Sequence, residues 1–134
     1  MRIATEQQDH LALVQHLAWR CASGVWWCHI PNGELRHKAT AGRVKAMGAK
    51  AGAPDLMFVL NGRVLFLELK RGRGGKLSAA QKVVHADIAA AGGEVIVAHG
   101  IDEALAMLES RGVLVPEARA PRGPYNKVGH DRQN

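Results

Sequence analysis

Apolar residues recur along the chain with two different periods, and the switches between them divide it into elements. After Thr5, the residues Leu13, Val14, Leu17, Ala18 and Cys21 fall at helical spacing. Thr5 followed by Gln8 reads as a capping box that opens this helix, and Ser23-Gly24 closes it. The run VWWCHIP is rich in strand formers and stops at the turn signal Pro31-Asn32-Gly33. Residues 35–49 place Ala41, Val44 and Met47 at helical spacing, which predicts a short helix ahead of the loop GAKAGAP. Two apolar strands joined by Asn61-Gly62 follow, over residues 55–70. Gly72, Gly74 and Gly75 then form a flexible basic connection. Ser78 and Gln81 make a second capping box, whose helix runs to about Ala91 and ends at Gly92-Gly93. EVIVAH reads as a buried strand, and DEALAMLES as a last helix with Asp102 as its expected cap. Beyond Pro116 the composition turns to Pro, Gly and Arg, which predicts a flexible basic tail over residues 116–134 after one domain over residues 1–115. The predicted order is α-β-α-β-β-α-β-α. It implies an α/β protein with a mixed sheet, in which the helix over 78–91 crosses between parallel strands.

A length of 134 residues suits one domain with a modest core. No apolar run approaches a membrane span, and acids near the N-terminus interrupt any export signal. The two cysteines, Cys21 and Cys28, are too few for a disulfide scaffold and lack zinc-finger partners. The expectation is therefore reduced, mostly buried thiols in a cytoplasmic protein of a bacterial or phage-infected cell. Charge narrows the picture further. Lys and Arg total 18 against 12 for Asp and Glu, a balance that favours an anionic partner such as nucleic acid. Between Glu34 and Asp55 stand Arg36, Lys38, Arg43, Lys45 and Lys50 with no acid among them. A second basic run, with Arg71, Arg73 and Lys76, follows Glu68.

The segment PDLMFVLNGRVLFLELK, residues 54–70, carries charges at only its far ends and beside its turn. Asn-Gly is the preferred pair for a two-residue type I′ turn. That turn makes Leu60 face Arg63 and, counting outward, Asp55 face Glu68. Opposed residues share a face of the sheet with Cβ atoms about 5 Å apart, and the strand period of two adds Lys70 to that face. Two opposed carboxylates destabilise a sheet unless something offsets their repulsion. A divalent cation held by oxygens would do so, with Mg²⁺ or Mn²⁺ favoured over zinc because no Cys or His belongs to the set. Charged strand ends in solvent, with Lys70 pairing an acid, are the simpler alternative.

These residues resemble the PD-(D/E)XK pattern of the restriction-endonuclease-like nucleases, with Pro54-Asp55 and Glu68-Leu69-Lys70 in its places. HIPNGELR, MGAKAGAPDLMF, FLELKRGRGGKLSAAQ and AGGEVIVAH are similar to the run of motifs in the VRR-NUC, or virus-type replication-repair nuclease, domain. The likeness covers about residues 3–110, with Leu69 where the family commonly has Val. It implies a restriction-endonuclease-like mixed sheet flanked by helices. It also implies metal ligation by Asp55, Glu68, the Leu69 carbonyl and Glu6, and catalytic roles for Asp55, Glu68, Lys70 and Gln81. Glu6 also suits the positive end of a helix dipole, and Gln81 also serves the Ser78 capping box. The basic residues named above would hold the DNA backbone. Small stand-alone members are similar to Holliday-junction resolvases that act as homodimers on branched DNA, and superfamily products carry 5′-phosphate and 3′-hydroxyl ends.

Three alternatives stand beside that expectation. One is a duplex or flap nuclease with the same site. Another is a non-catalytic DNA-binding module, against which the presence of Asp55, Glu68, Lys70 and Gln81 together speaks. A P-loop at KRGRGGKLS fails, because Lys70 occupies the first glycine position and Leu77 stands where Ser or Thr is required. The tryptophans of VWWCHIP fit either a core strand or, with Ile30, a dimer patch. The seven histidines stay unassigned.

Overall fold

The computed structural model describes residues 3–121. Helix α1 spans Glu6–Arg20, strand β1 Val25–His29, helix α2 Lys38–Ala46, strands β2 and β3 Leu56–Leu60 and Arg63–Lys70, helix α3 Ala79–Ala90, strand β4 Glu94–His99 and helix α4 Ile101–Ser110. The sheet order is β1-β2-β3-β4. The first two pairings are antiparallel and β3 lies parallel to β4, with α3 as the crossover. The hairpin has the expected register, Leu60 opposite Arg63 through Leu56 opposite Leu67. Asn61 and Gly62 have φ of 49° and 72°, as a type I′ turn demands.

Alternation along the strands splits the sheet into two unlike faces. Leu56, Phe58 and Leu60 of β2, and Leu65, Leu67 and Leu69 of β3, are buried against Leu13 and Leu17 of α1 and Ala104 and Leu108 of α4. Burying each such leucine stabilises the fold by about 1.5–3 kcal/mol, so this face fixes which way every strand residue points. The opposite face receives Met57, Val59, Phe66, Glu68 and Lys70. Helix α3 covers only its β3–β4 half, and Trp26 at the β1 edge is 56% exposed. Trp27, one residue on, packs instead against the core.

Both capping boxes form, at Thr5–Gln8 and at Ser78–Gln81. Three expectations are corrected. The helix predicted over 35–49 divides into a 3₁₀ turn at Gly33–Arg36 and α2, which has His37 at its N-cap. Asp102 lies in the first turn of α4, and the cap is Gly100. Gly100 has φ of 85°, and its N–H bonds the carbonyl of Lys70, so the end of β3, not a local side chain, sets where α4 begins. The cysteines, expected to be mostly buried, are half-buried free thiols. Of the predicted tail, residues 122–134 lie outside the described residues. Residues 116–121 lie against α1, with Trp19 Nε1 donating to the carbonyl of Pro121 and Val115 N–H to that of Arg20. No helix among the described residues is long and apolar enough to cross a membrane.

Candidate active site

Asp55 sits one residue before β2, where its backbone is held from both sides. Its N–H donates to the Leu67 carbonyl on β3, and its own carbonyl accepts from Ile30 N–H beyond β1. His29 Nδ1 lies 2.8 Å from the same carbonyl. Asn32 Nδ2 donates to the Ala53 carbonyl, steadying the loop just upstream. The Asp55 side chain then crosses to β3, where Oδ2 accepts the Leu69 N–H at 2.7 Å. That bond draws the Asp55 carboxylate to the turn of β3 that carries Glu68, Leu69 and Lys70.

Glu68 is 2% exposed and Lys70 8%. Glu68 Oε1 accepts from Gln81 Nε2 at 2.6 Å and lies 3.8 Å from Lys70 Nζ. Gln81 closes the expected capping box and also reaches Glu68. Its Oε1 accepts from Ser78 N–H to close the capping box, which leaves its amide nitrogen free to reach the acid. Glu6 approaches from the start of α1, accepting from Arg71 N–H at 3.3 Å. The six residues Glu6, Asp55, Glu68, Leu69, Lys70 and Gln81 are therefore brought to one end of the sheet.

The electrostatics show the strain of this gathering. Burial pushes the Asp55 carboxyl above its ordinary value, against the opposing pull of the Leu69 N–H. Glu68 is pushed up to about 8, by burial first and the Asp55 charge second, although Lys70 and Gln81 pull it down. Glu6 adds to the repulsion on both. Two carboxyls that resist ionising side by side are a site short of positive charge. Glu68 Oε2 is also buried with no hydrogen-bond partner. Hard oxygen donors with an orphaned lone pair fit a divalent cation of the Mg²⁺ or Mn²⁺ kind. Among the described residues no group of three His, Cys, Asp or Glu side chains is placed to hold a metal ion, so a cation held here would need the Leu69 carbonyl or water besides the carboxylates.

The structure is similar to that of a solved "VRR_NUC domain protein" that is 23% identical, over 82% of this chain and 89% of that one, with a TM-score of 0.68. The chain has the VRR-NUC fold. No protein-family model matches the sequence, and no curated protein does.

Around this VRR-NUC hairpin, Lys38, Arg43, Lys45 and Lys50 are exposed on α2 and the loop that leads to Asp55, and Arg71, Arg73 and Lys76 are exposed on the loop after β3. The side chain of Arg36 lies outside the described residues. Arg71 also has a structural task, since its Nε donates to the Arg73 carbonyl and folds the loop on itself. Sequence reasoning missed the histidines. His85 Nε2 lies 3.6 Å from Glu68 Oε2. His10 and His29 meet edge to face with ring centroids 4.6 Å apart beside Asp55, and burial lowers the pKa of His10. A signal was available: His85 falls four residues after Gln81, and His10 four after Glu6, so each shares a helix face with a site residue.

Proposed function

We propose that this protein is a metal-dependent DNA endonuclease, acting as a homodimer on branched DNA in the manner of a Holliday-junction resolvase. The observation that carries the nuclease reading is the convergence of Asp55, Glu68, Lys70 and Gln81 on one face at the end of the β2–β3 hairpin. In this reading Asp55, Glu68 and the Leu69 carbonyl hold Mg²⁺ or Mn²⁺, with Glu6 in reach of the same cation or a second. The cation would supply Lewis-acid polarisation of a phosphoryl oxygen and acidify a water.

The chain's own residues do the remainder. Lys70, kept beside Glu68 in a largely buried setting, holds positive charge where the phosphate gains negative charge, and such charge counts for more out of bulk water. Gln81 holds the Glu68 carboxylate against α3. The exposed lysines and arginines of α2 and the two loops bind backbone phosphates without reading bases. Water oxygen bonds to phosphorus as the P–O3′ bond breaks, leaving a 5′-phosphate and a 3′-hydroxyl that takes up a proton. The dimer reading draws on the half-covered face of the sheet. There Trp26, Val59 and Val64 form one cross-strand row, with Trp26 and Val64 exposed. Two sites related by a two-fold axis suit two symmetric cuts.

The test is cleavage of a labelled four-way junction beside a linear duplex of the same sequence, with Mg²⁺, Mn²⁺ or chelator. Paired symmetric cuts in the junction alone are expected. They should be lost with chelator and reduced at least about a thousandfold in Asp55→Asn, in line with removal of a metal-site or charge-stabilising group. Cutting of both substrates would retain the chemistry and discard the junction preference. Salt-sensitive binding without cutting of either would replace the enzyme with a binding module.

A further inference from the structure

A carboxylate has two oxygens, and only one of those on Glu68 has a hydrogen-bond partner. Oε1 faces Gln81 and Lys70. Oε2 is buried without a partner, and so is His85 Nε2. The two atoms lie 3.6 Å apart, with both side chains largely out of solvent at 3% and 12% exposure. An unmade bond at a buried polar atom is costly, and here two such atoms from different elements face each other. The gap lies just beyond hydrogen-bond range, so a shift of about half an ångström satisfies both. The source of His85 is equally informative. It follows Gln81 by one helical turn on α3, so a single helix face offers Gln81 to Oε1 and His85 to Oε2.

We propose that His85 is a positioning residue of the active site, donating its Nε2–H to Glu68 Oε2. With Gln81 on the other oxygen, it fixes the plane of the carboxylate and aims the remaining lone pairs toward Asp55. Each carboxylate oxygen can accept twice, so neither bond removes Glu68 from service as a cation ligand. Direct ligation of the cation by Nε2 is the competing role. It is disfavoured because Mg²⁺ and Mn²⁺ prefer oxygen and because groups that orient a ligating carboxylate are a regular part of such sites. The inference rests on the nuclease reading of Glu68.

The experiment measures Mn²⁺ affinity by calorimetry for the full chain and for His85→Ala and His85→Gln, with thermal unfolding as a control. It adds ¹⁵N NMR of the wild-type imidazole with and without Mg²⁺. Glutamine places an N–H donor near the position of Nε2. The expected result is a loss of affinity of about tenfold or more in His85→Ala, with His85→Gln within about threefold of wild type, the range of context effects on one bond. The wild-type ring should keep its proton on Nε2 when Mg²⁺ is added. Unchanged affinity in His85→Ala, or equal loss in both variants, overturns the donor role and leaves the nuclease reading in place. Movement of the proton to Nδ1 with Mg²⁺ on Nε2 overturns it in favour of ligation. Absence of any cation binding by the wild type removes the metal site itself, and the inference with it. Should His85→Ala fail to fold, the wild-type tautomer decides.

Discussion

Glu68 is held where an ionised carboxyl is disfavoured, which makes its titration a direct report on the site. Its carboxyl is raised from 4.5 to about 8, by burial and then by the Asp55 charge. The sign of the consequence follows from proton linkage. Between those values the unfolded chain has released the Glu68 proton while the native chain keeps it, so the native state binds more protons and loses stability as pH rises. The contribution is fullest below about pH 4.5, falls toward pH 8 and is flat above. Glu68→Gln removes the ionisable group and keeps the shape. In chelator it should match wild type at pH 5 and be more stable at pH 8, on the order of 2 kcal/mol, because a desolvated ion is replaced by a neutral amide. Urea unfolding at the two pH values measures this; equal stability at both would mean that Glu68 is already ionised in the native protein. The acids themselves were legible in the sequence, since turn chemistry and strand alternation put Asp55 and Glu68 on one face. The histidines beside them were not. The spacing puts His85 on the helix face of Gln81, but its partner lies on another element, so the spacing alone does not say what it meets.

Among the elements, the hairpin was legible to its register because Asn61-Gly62 admits one turn and the turn counts out every pair. The position of α3 was not, and Gly52 explains why. This glycine has φ of 88°, and a Cβ there would lie 2.5 Å from the Ala80 carbonyl carbon and oxygen and 2.7 Å from Gln81 N. The loop before Asp55 thus lies directly on the first turn of α3, a long-range contact that GAKAGAP does not announce. The misplaced cap of α4 has the same origin, a backbone bond from Gly100 to the end of β3 overruling a local acid. Gly52→Ala must push α3 away or distort the loop. Either movement separates Gln81 from Glu68 while leaving every side chain of the candidate site unmutated. The variant should lose about 1–3 kcal/mol of stability, the usual cost of overpacking. It should also lose cation affinity, which a remote destabilisation would not do. Retention of full cation affinity would show that the loop and α3 shift together.

At the scale of the molecule, the two faces of the sheet divide the labour. One, packed by α1 and α4, supplies most of the core. The other carries the acids, the lysine and an incompletely covered apolar row. The net charge of +6 was legible from composition, yet composition does not say where a phosphate backbone would run. In the proposed reading it would run along the basic segments joined to the site: α2 through the loop ending at Asp55, and the loop leaving Lys70. Because each phosphate neutralised releases condensed counterions, affinity for DNA should fall linearly in log–log form with salt, by about 0.9 for each contact. Reversing Arg43 and Lys45 together, both exposed on α2, should weaken binding to junction and duplex alike and lower that slope by about 1 for each lost contact. Cleavage at saturating DNA should persist, since neither side chain touches the carboxylates, whereas Asp55→Asn should bind with an undiminished slope and not cut. Titrations by fluorescence anisotropy at several salt concentrations separate the two variants. An unchanged slope in the α2 double variant would take that helix off the DNA path and leave the 71–76 loop as the main contact, and the reach of the site along the duplex would then be set by β3 rather than by β2.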